Sequence, residues 1–328
     1  MRYYARKTGY FLLTLWAAVT LNFLIPRLQP GDPAEVMVRQ LTGRDGEIDP
    51  TQIEAVRAML GYADENVFVA YWKYLQQLAQ GDLGVSFTYY PFTVGEVIGQ
   101  ALPWTLGLIG VTQILAFLLG TFLGTYAAWR RNSRFDSFIS VGSTFLGNLQ
   151  SFWIGMIILF VLAYELGWFP AVGGYGYTTP GWNWLFVADV LSHAFLPALT
   201  LMVTAPIGFI LGMRNTMVQE LGGDYIRLAQ AAGLPDRKVA LGYAARNALL
   251  PTVTSFALSL GVLMSGSILV EQLFDYPGMG RLMGEATSNR DFPLMQAILL
   301  TTITIVLTAS FVVDLLYGVI DPRARKSR

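Results

Sequence analysis

Few side chains in this sequence could make or break bonds. There is one histidine, His193, and no cysteine, which excludes disulfides, zinc–thiolate sites and cysteine nucleophiles. The four lysines, Lys7, Lys73, Lys238 and Lys326, all lie outside any G-x-x-x-x-G-K-[ST] phosphate loop, so the chain does not bind ATP in that way. Glu165, His193 and Asp314 fall near the ends of apolar stretches, where they are expected as interfacial groups and not as a proton relay. One histidine and peripheral acids assemble no Ser-His-Asp triad, carboxylate pair or metal site. What remains is polar but unreactive. Asn148, Gln150, Ser151, Thr204, Ser255, Ser259, Ser265 and Ser267 could line a path for a polar solute, or hydrogen-bond between helices, and residue type alone does not choose.

Two further segments carry positional chemistry. Residues 224 to 233 read as a short helix with Asp224 as its N-cap and Gly233 as its stop, and Pro235 starts another helix. Alanines at exposed positions would let another backbone approach this elbow; periodicity leaves a docking elbow and an ordinary connector even. The segment Pro277-Gly278-Met279-Gly280 fits a tight turn, with a gate or docking element as the alternative.

The elements that must hold these residues follow from composition. Of 328 residues, 54% are hydrophobic and 13% charged, about half the charged share of a soluble domain, so much of the surface must face lipid. Twenty-two basic residues cancel 22 acidic ones, leaving no basic footprint for nucleic acid. Six stretches are long and apolar enough to span a bilayer: 9–28, 101–128, 138–165, 193–213, 251–271 and 294–318. Arg2, Arg6 and Lys7 precede the first as in a signal peptide, but no small-x-small cleavage site follows, so a retained anchor is expected. With the N-terminus inside, 15 of the 22 basic residues face the cytoplasm, which places both termini there.

Two loops exceed simple connectors. Residues 29–100 face outward and hold two amphipathic helix patterns, one opened by Asp49-Pro50 and stopped by Gly61. The other aligns Phe68, Tyr71, Trp72, Leu75 and Leu78 on one side and stops at Gly81. A cap on the outer ends of the spans is expected, with a docking surface for an extracytoplasmic partner compatible. The loop 214–250 faces inward. Within the spans, Gly120 with Gly124, Gly208 with Gly212, and Gly261 with Ser265 mark close helix approaches.

At the inward elbow the sequence resembles the permease subunits of binding-protein-dependent ABC importers, of the dipeptide/oligopeptide type. The resemblance is carried by Asp224-Tyr225-Ile226-Arg227, Ala229, Ala231, Gly233-Leu234, Val239 and Arg246-Asn247-Ala248-Leu249-Leu250-Pro251. It extends through Pro30-Gly31-Asp32-Pro33, Gly81-Asp82-Leu83-Gly84, Ser151-Phe152-Trp153, Leu196-Pro197-Ala198-Leu199-Thr200, Asp291-Phe292-Pro293 and Asp321-Pro322-Arg323. Gln150 stands where the family commonly has proline, and Tyr243 where the peptide type usually has histidine.

The resemblance implies an all-α polytopic membrane protein with six transmembrane helices and cytoplasmic termini, in the type I ABC importer permease fold. It divides the chain into 1–28 (N-terminus and first span), 29–100 (extracytoplasmic helical segment) and 101–328 (permease core). It implies a second homologous permease, two ATP-binding subunits that carry ATP and Mg, an extracytoplasmic solute-binding protein, and no cofactor in this chain. Asp224, Tyr225, Arg227, Ala229, Ala231, Gly233, Leu234 and Pro235 would form the ATPase-coupling loop. Glu271, Phe274, Pro277, Gly278, Gly280 and Arg281 are the candidate outer gate or docking element. Peptide is the expected cargo, with oligosaccharides or nickel complexes as alternatives. An ion-coupled carrier or a membrane enzyme would need mid-membrane charges or a reactive cluster. The expected location is the cytoplasmic (inner) membrane.

Overall fold

Four helices of this chain begin where a side chain, Asn66, Thr93, Ser133 or Asn183, takes a free first-turn amide, and several end at or beside a glycine. The computed structural model describes residues 2–28, 38, 50–51, 53–54, 66–176, 178, 180–181 and 183–320. Its helices are α1 (Arg2–Leu28), α2 (Val67–Ala79), α3 (Val94–Trp129), α4 (Arg134–Gly147), α5 (Ser151–Ile158, continued by a π-helical segment Leu159–Glu165), α6 (Trp184–Thr204) and α7 (Pro206–Leu221). There follow α8 (Asp224–Ala231), a single turn Asp236–Lys238, a π-helical segment Val239–Ala244, α9 (Ala245–Leu273), α10 (Met279–Ser288) and α11 (Phe292–Ile320). Among the described residues there is no strand, only an isolated bridge between Val85 and Thr93. The pattern that opens at Asp49 lies largely outside the described residues.

Three helical runs are long and apolar enough to cross a membrane: α3, α6 with α7, and the Phe292–Val313 part of α11. The pair α4 and α5 meets the same test together, although it is bent by 98°. The protein is therefore all-helical with three to four apolar spans among its described residues.

The longest helix, α3, starts in a capping box. The Thr93 hydroxyl accepts the Glu96 amide at 3.3 Å, and the Glu96 carboxylate accepts the Thr93 amide at 2.9 Å. No charge then interrupts it before Arg130. Its 36 residues extend roughly 54 Å at 1.5 Å per residue, well beyond a hydrocarbon core of about 30 Å.

Three buried clusters lie along α3. The first joins Val94, Val97, Ile98 and Ala101 to Met279, Leu282 and Ala286 of α10 and to Leu294, Ala297 and Ile298 of α11. The second joins Leu108 and Ile109 to Leu196 and Leu201 of α6 and to Met264, Val270 and Phe274. The third joins Ala128 to Met213, Met217, Ile226, Ala229, Val239, Ala240, Ala244 and Ala248.

Two expectations about the spans need correction. Residues 138–165 are not one helix: the chain breaks at 148–150. Asn148 turns its side-chain amide back to the Thr144 carbonyl at 2.6 Å, and Gln150 is extended, so the helical path cannot continue. The stretch at 193–213 instead lies inside a helical run from Trp184 to Leu221. Asn183 caps it through the Phe186 amide at 2.7 Å, and Pro206 is tolerated because it occupies the first position of α7.

The glycine pairs also separate. A methyl group on Gly120 would lie 2.5 Å from Cβ of Phe209, and one on Gly124 would lie 2.5 Å from the Ile210 carbonyl oxygen, so α3 and α7 meet backbone to backbone. Gly261 lies near Val306, whereas Gly208 and Gly212 have open space in front of them.

We expect Gly124→Val to destabilise the protein by about 1–3 kcal/mol, the usual cost of overpacking, and Gly208→Ala to be tolerated. Thermal unfolding in detergent, with accumulation in membranes as a second reading, would separate the two; equal stability of both variants would contradict the crossing.

Candidate functional site

The elbow is built from the C-terminal end of α7. Met213 and Met217 of α7 form a floor with Ala128, Val239, Ala240, Ala244 and Ala248, and α8 lays Ile226 and Ala229 onto it. The other face of α8 is open: Arg227 and Leu228 are exposed, the latter at 72%, and so are Ala231 and Ala232. Asp224 is not the N-cap. Gly223 takes that position in extended conformation, and Asp224 sits in the first turn with its side chain fully exposed, 3.7 Å from Arg227. A carboxylate there still favours the helix through its dipole. Ala229 is buried in the floor and not on the approach face, because Ile226 three residues earlier fixes which side of α8 is core.

The C-terminal stop is a complete Schellman motif. Gly233 has φ +80°, its amide donates to the Gln230 carbonyl at 2.9 Å, and the Leu234 amide donates to the Ala229 carbonyl at 3.3 Å. Leu234 then packs against the floor. Pro235, extended, caps the next turn. The Tyr225 hydroxyl donates to Glu220 and accepts from the Asn247 amide at 3.1 Å, which ties α8 to α7 and α9. Partial burial, then the Glu220 carboxylate, pushes the Tyr225 phenol above its ordinary pKa, so it stays a donor.

A clamp that sequence reading missed braces the same end. Arg214 of α7 grips Asp136 of α4 bidentately, Nε to Oδ1 at 2.5 Å and Nη2 to Oδ2 at 2.9 Å. Asp136 also accepts the Asn132 amide at 3.0 Å. Asp136 stands in the first turn of α4 beside Arg130, Arg131 and Arg134, and nothing there points to Arg214 as its partner.

The polar candidates have different local partners. Ser151 and Thr204 bond hydroxyl to hydroxyl at 3.0 Å. Ser259 accepts from the side-chain amide of Gln113, a buried residue of α3 that sequence reading also missed. Asn148 and Gln150 are exposed at the break, and Ser255 is exposed with its hydroxyl on the Pro251 carbonyl at 3.1 Å. The Ser265 side chain and the Asp314 side chain lie outside the described ones. His193 pairs with Asp189 at 3.1 Å. Among the described residues no three His, Asp or Glu side chains are grouped as a metal site would need.

At the opposite end, the Pro277-Gly278-Met279-Gly280 segment opens α10. Glu271, the last acid of α9, is fully buried and accepts the Gly280 amide at 2.6 Å and the Thr105 hydroxyl at 3.1 Å. The Met279 amide donates to that hydroxyl at 2.7 Å. A carboxylate at a helix N-terminus suits the dipole, and Gly278 leaves room for it, since a methyl group there would lie 2.3 Å from the carboxylate. Phe274 is buried against Leu196 and Leu201. Pro277 packs on Gly174, and Arg281 pairs with Asp275 at 3.1 Å and Glu285 at 2.9 Å. Nearby, the buried Asp291 accepts the Ser86 hydroxyl at 2.6 Å and the amides of Phe87 and Thr88, both at 2.9 Å, while its other oxygen takes the Leu294 amide at 3.1 Å.

Comparison with known proteins gives this arrangement a context. Residues 120–326, which include the elbow and both of its flanking helices, match the family described as binding-protein-dependent transport system inner membrane component. The chain belongs to this family. It is 34% identical over 322 residues to the oligopeptide transport system permease protein AppB of Bacillus subtilis, covering 98% of each chain. It is 34% identical to the di/tripeptide transport system permease protein DppB of Pseudomonas aeruginosa, over the full length of both. A third relative, the glutathione transport system permease protein GsiC of Escherichia coli, is 34% identical over 99% of each. The protein is thus the permease subunit of a binding-protein-dependent ABC importer, a multi-pass membrane protein whose three relatives above are all transport-system permeases.

In this permease, Asp136→Ala leaves the Arg214 guanidinium without its partner beneath the elbow, and a loss of about 3 kcal/mol is expected from breaking such a pair. The thermal midpoint of the purified complex measures it; Asp136→Glu should recover part of the loss if the clamp is the cause.

Proposed function

We propose that the permease crosses the membrane six times with both termini in the cytoplasm, and that it forms a pathway for di- or oligopeptides with a second, homologous permease. Two ATPase subunits, which bind ATP and Mg, lie on the cytoplasmic side, and an extracytoplasmic binding protein delivers the solute. The excess of Lys and Arg in the segments assigned inside supports the orientation. The relatives' names, which specify oligopeptides, di- and tripeptides and glutathione, support a peptide cargo.

One observation carries the coupling role: α8 is locked on its inner face and open on its outer face. Ile226 and Ala229 fix it to α7 and α9, while Leu228, Ala231 and Ala232 stand free for a partner. A helix held in this way moves with its scaffold. Closure of the ATPase pair on ATP would displace the docked elbow as a rigid piece, and α7 and α9 would rock with it between inward-open and outward-open arrangements. The pathway residues proposed for this subunit are Asn148 and Gln150 at the break, the Ser151–Thr204 pair, Ser255, Ser259 and Ser265. Glu271 and Gly278 are proposed to keep the outer segment 277–281 rigid at the mouth.

Gly233 is the sensitive point, because any other residue at φ +80° carries strain of about 1–2 kcal/mol, and a bulky one also obstructs the docking face. Gly233→Trp is expected to insert in the membrane normally and to lose solute-stimulated ATP hydrolysis in the reconstituted complex. Undiminished stimulation would sink the coupling assignment. The cargo is tested separately by measuring which solutes compete for uptake: peptides should compete and oligosaccharides should not.

A further inference from the structure

Helix α2 is attached to the first span by polar and aromatic contacts. The Tyr71 hydroxyl bonds the Thr20 hydroxyl at 2.7 Å, Asn22 donates to the Tyr74 hydroxyl at 3.1 Å, and Phe23 packs against both tyrosine rings at 5.1 and 5.4 Å. These contacts fix its depth. Counting back from Leu28 at 1.5 Å per residue, Phe23 lies roughly 7 Å and Thr20 roughly 12 Å below the outer end of α1. On the same helix Leu12, Leu13, Trp16 and Leu21 are exposed, as lipid-facing residues of a peripheral span would be.

The circumference of α2 divides into three arcs. Tyr71 and Tyr74 face α1, and Ala70, Leu75 and Leu78 on the same side are likewise partly buried. Lys73, Gln76, Gln77 and Gln80 make a mainly polar arc, which Val69 also enters. Between the two, Phe68, Trp72 and Ala79 fall within about 40° of one another at 100° per residue, and Phe68 is 82% and Trp72 63% exposed. Sequence periodicity put Phe68 and Trp72 on one face with Tyr71 and Leu78; the structure divides that face, with the tyrosine side against protein and the Phe68–Trp72 side uncovered. An apolar sector beside a polar arc, held at the outer third of a span, is the arrangement of a helix lying in the membrane interface.

We infer that α2 is an interfacial anchor, laid in the outer leaflet with Phe68 and Trp72 in the boundary between headgroups and acyl chains and its glutamines toward water. The occupant of the exposed stripe is lipid. A binding protein approaching from the aqueous side would meet the glutamine arc first. The inference rests on the proposed direction of the first span.

Because the chain lacks cysteine, Phe68→Cys, Trp72→Cys and Gln77→Cys each supply a single site for a nitroxide label on this subunit, in a transporter whose partner subunits have had any cysteines replaced. The assembled complex is reconstituted in phosphatidylethanolamine–phosphatidylglycerol vesicles, and collisions of each label with oxygen and with a water-soluble nickel chelate are compared. Oxygen should dominate at positions 68 and 72 and the nickel chelate at 77, with no change when binding protein is added. Nickel collisions dominating at 68 and 72 would overturn the inference. So would labels shielded from both reagents, which would mean a second protein chain, or shielding that appears only with the binding protein. Uptake measured on the same vesicles keeps the two readings apart: active transport with water-exposed labels removes only the lipid contact.

Discussion

The half of the molecule that carries the elbow depends on two missing side chains. Gly120 and Gly124 allow the backbone of α7 to lie directly on α3, with Phe209, Ile210 and Met213 filling the space that side chains would have taken. That contact sets the rotation of α7 about its own axis. Met213 and Met217 then point into the floor, Arg214 reaches Asp136, and the chain leaves α7 in the direction that lets Ile226 cover the methionines. A wider crossing would separate all three contacts at once, because packed interiors tolerate little displacement.

The two ends of the molecule are linked by one helix. The π-helical segment Val239–Ala244 is part of the elbow's floor, and α9 runs on from it without a break to Leu273, two residues past the carboxylate that caps α10. Its 29 residues make a rod of roughly 43 Å. At one end it is held by Ala244, Ala248 and the Asn247–Tyr225 bond, at the other by Glu271, Val270 and Phe274. The elbow and the start of α10 are thus joined by a single helix, in which Pro251 alone withholds a backbone donor, and not by a series of loops.

What the sequence revealed was mostly local. The limits of the elbow were readable because glycine at φ +80° and a following proline have few other uses, and Gly81 marked the end of α2 for the same reason. The start of α8 was misplaced by one residue, since Asp224 is a common cap but Gly223 adopts the extended conformation without strain. Distant partners were not readable. Asp136 and Arg214 are 78 positions apart, and Asp291 reaches Ser86 across 205, so nothing in their neighbourhoods announces the pairing. The division of α2 into a protein face and a bare face escaped for a different reason: tyrosine, phenylalanine and tryptophan count alike in a periodicity, but only the tyrosines have hydroxyls that Thr20 and Asn22 can satisfy. The break at 148–150 was hidden because hydropathy sums do not register direction.

That break also bears on how the subunit can exist in a bilayer. α5 begins with no side-chain cap on its first turn, and the residues around the bend are exposed on this chain. Helix-end amides and carbonyls left in hydrocarbon carry a heavy penalty, so non-helical backbone at that depth is tolerated only against protein or water. In the six-span arrangement, the solvent for residues 148–150 must therefore come from outside the chain, as a wetted cavity or an adjoining subunit. In that arrangement the bend asks of its surroundings what an unbroken helix does not: water or protein against backbone that the chain itself leaves open.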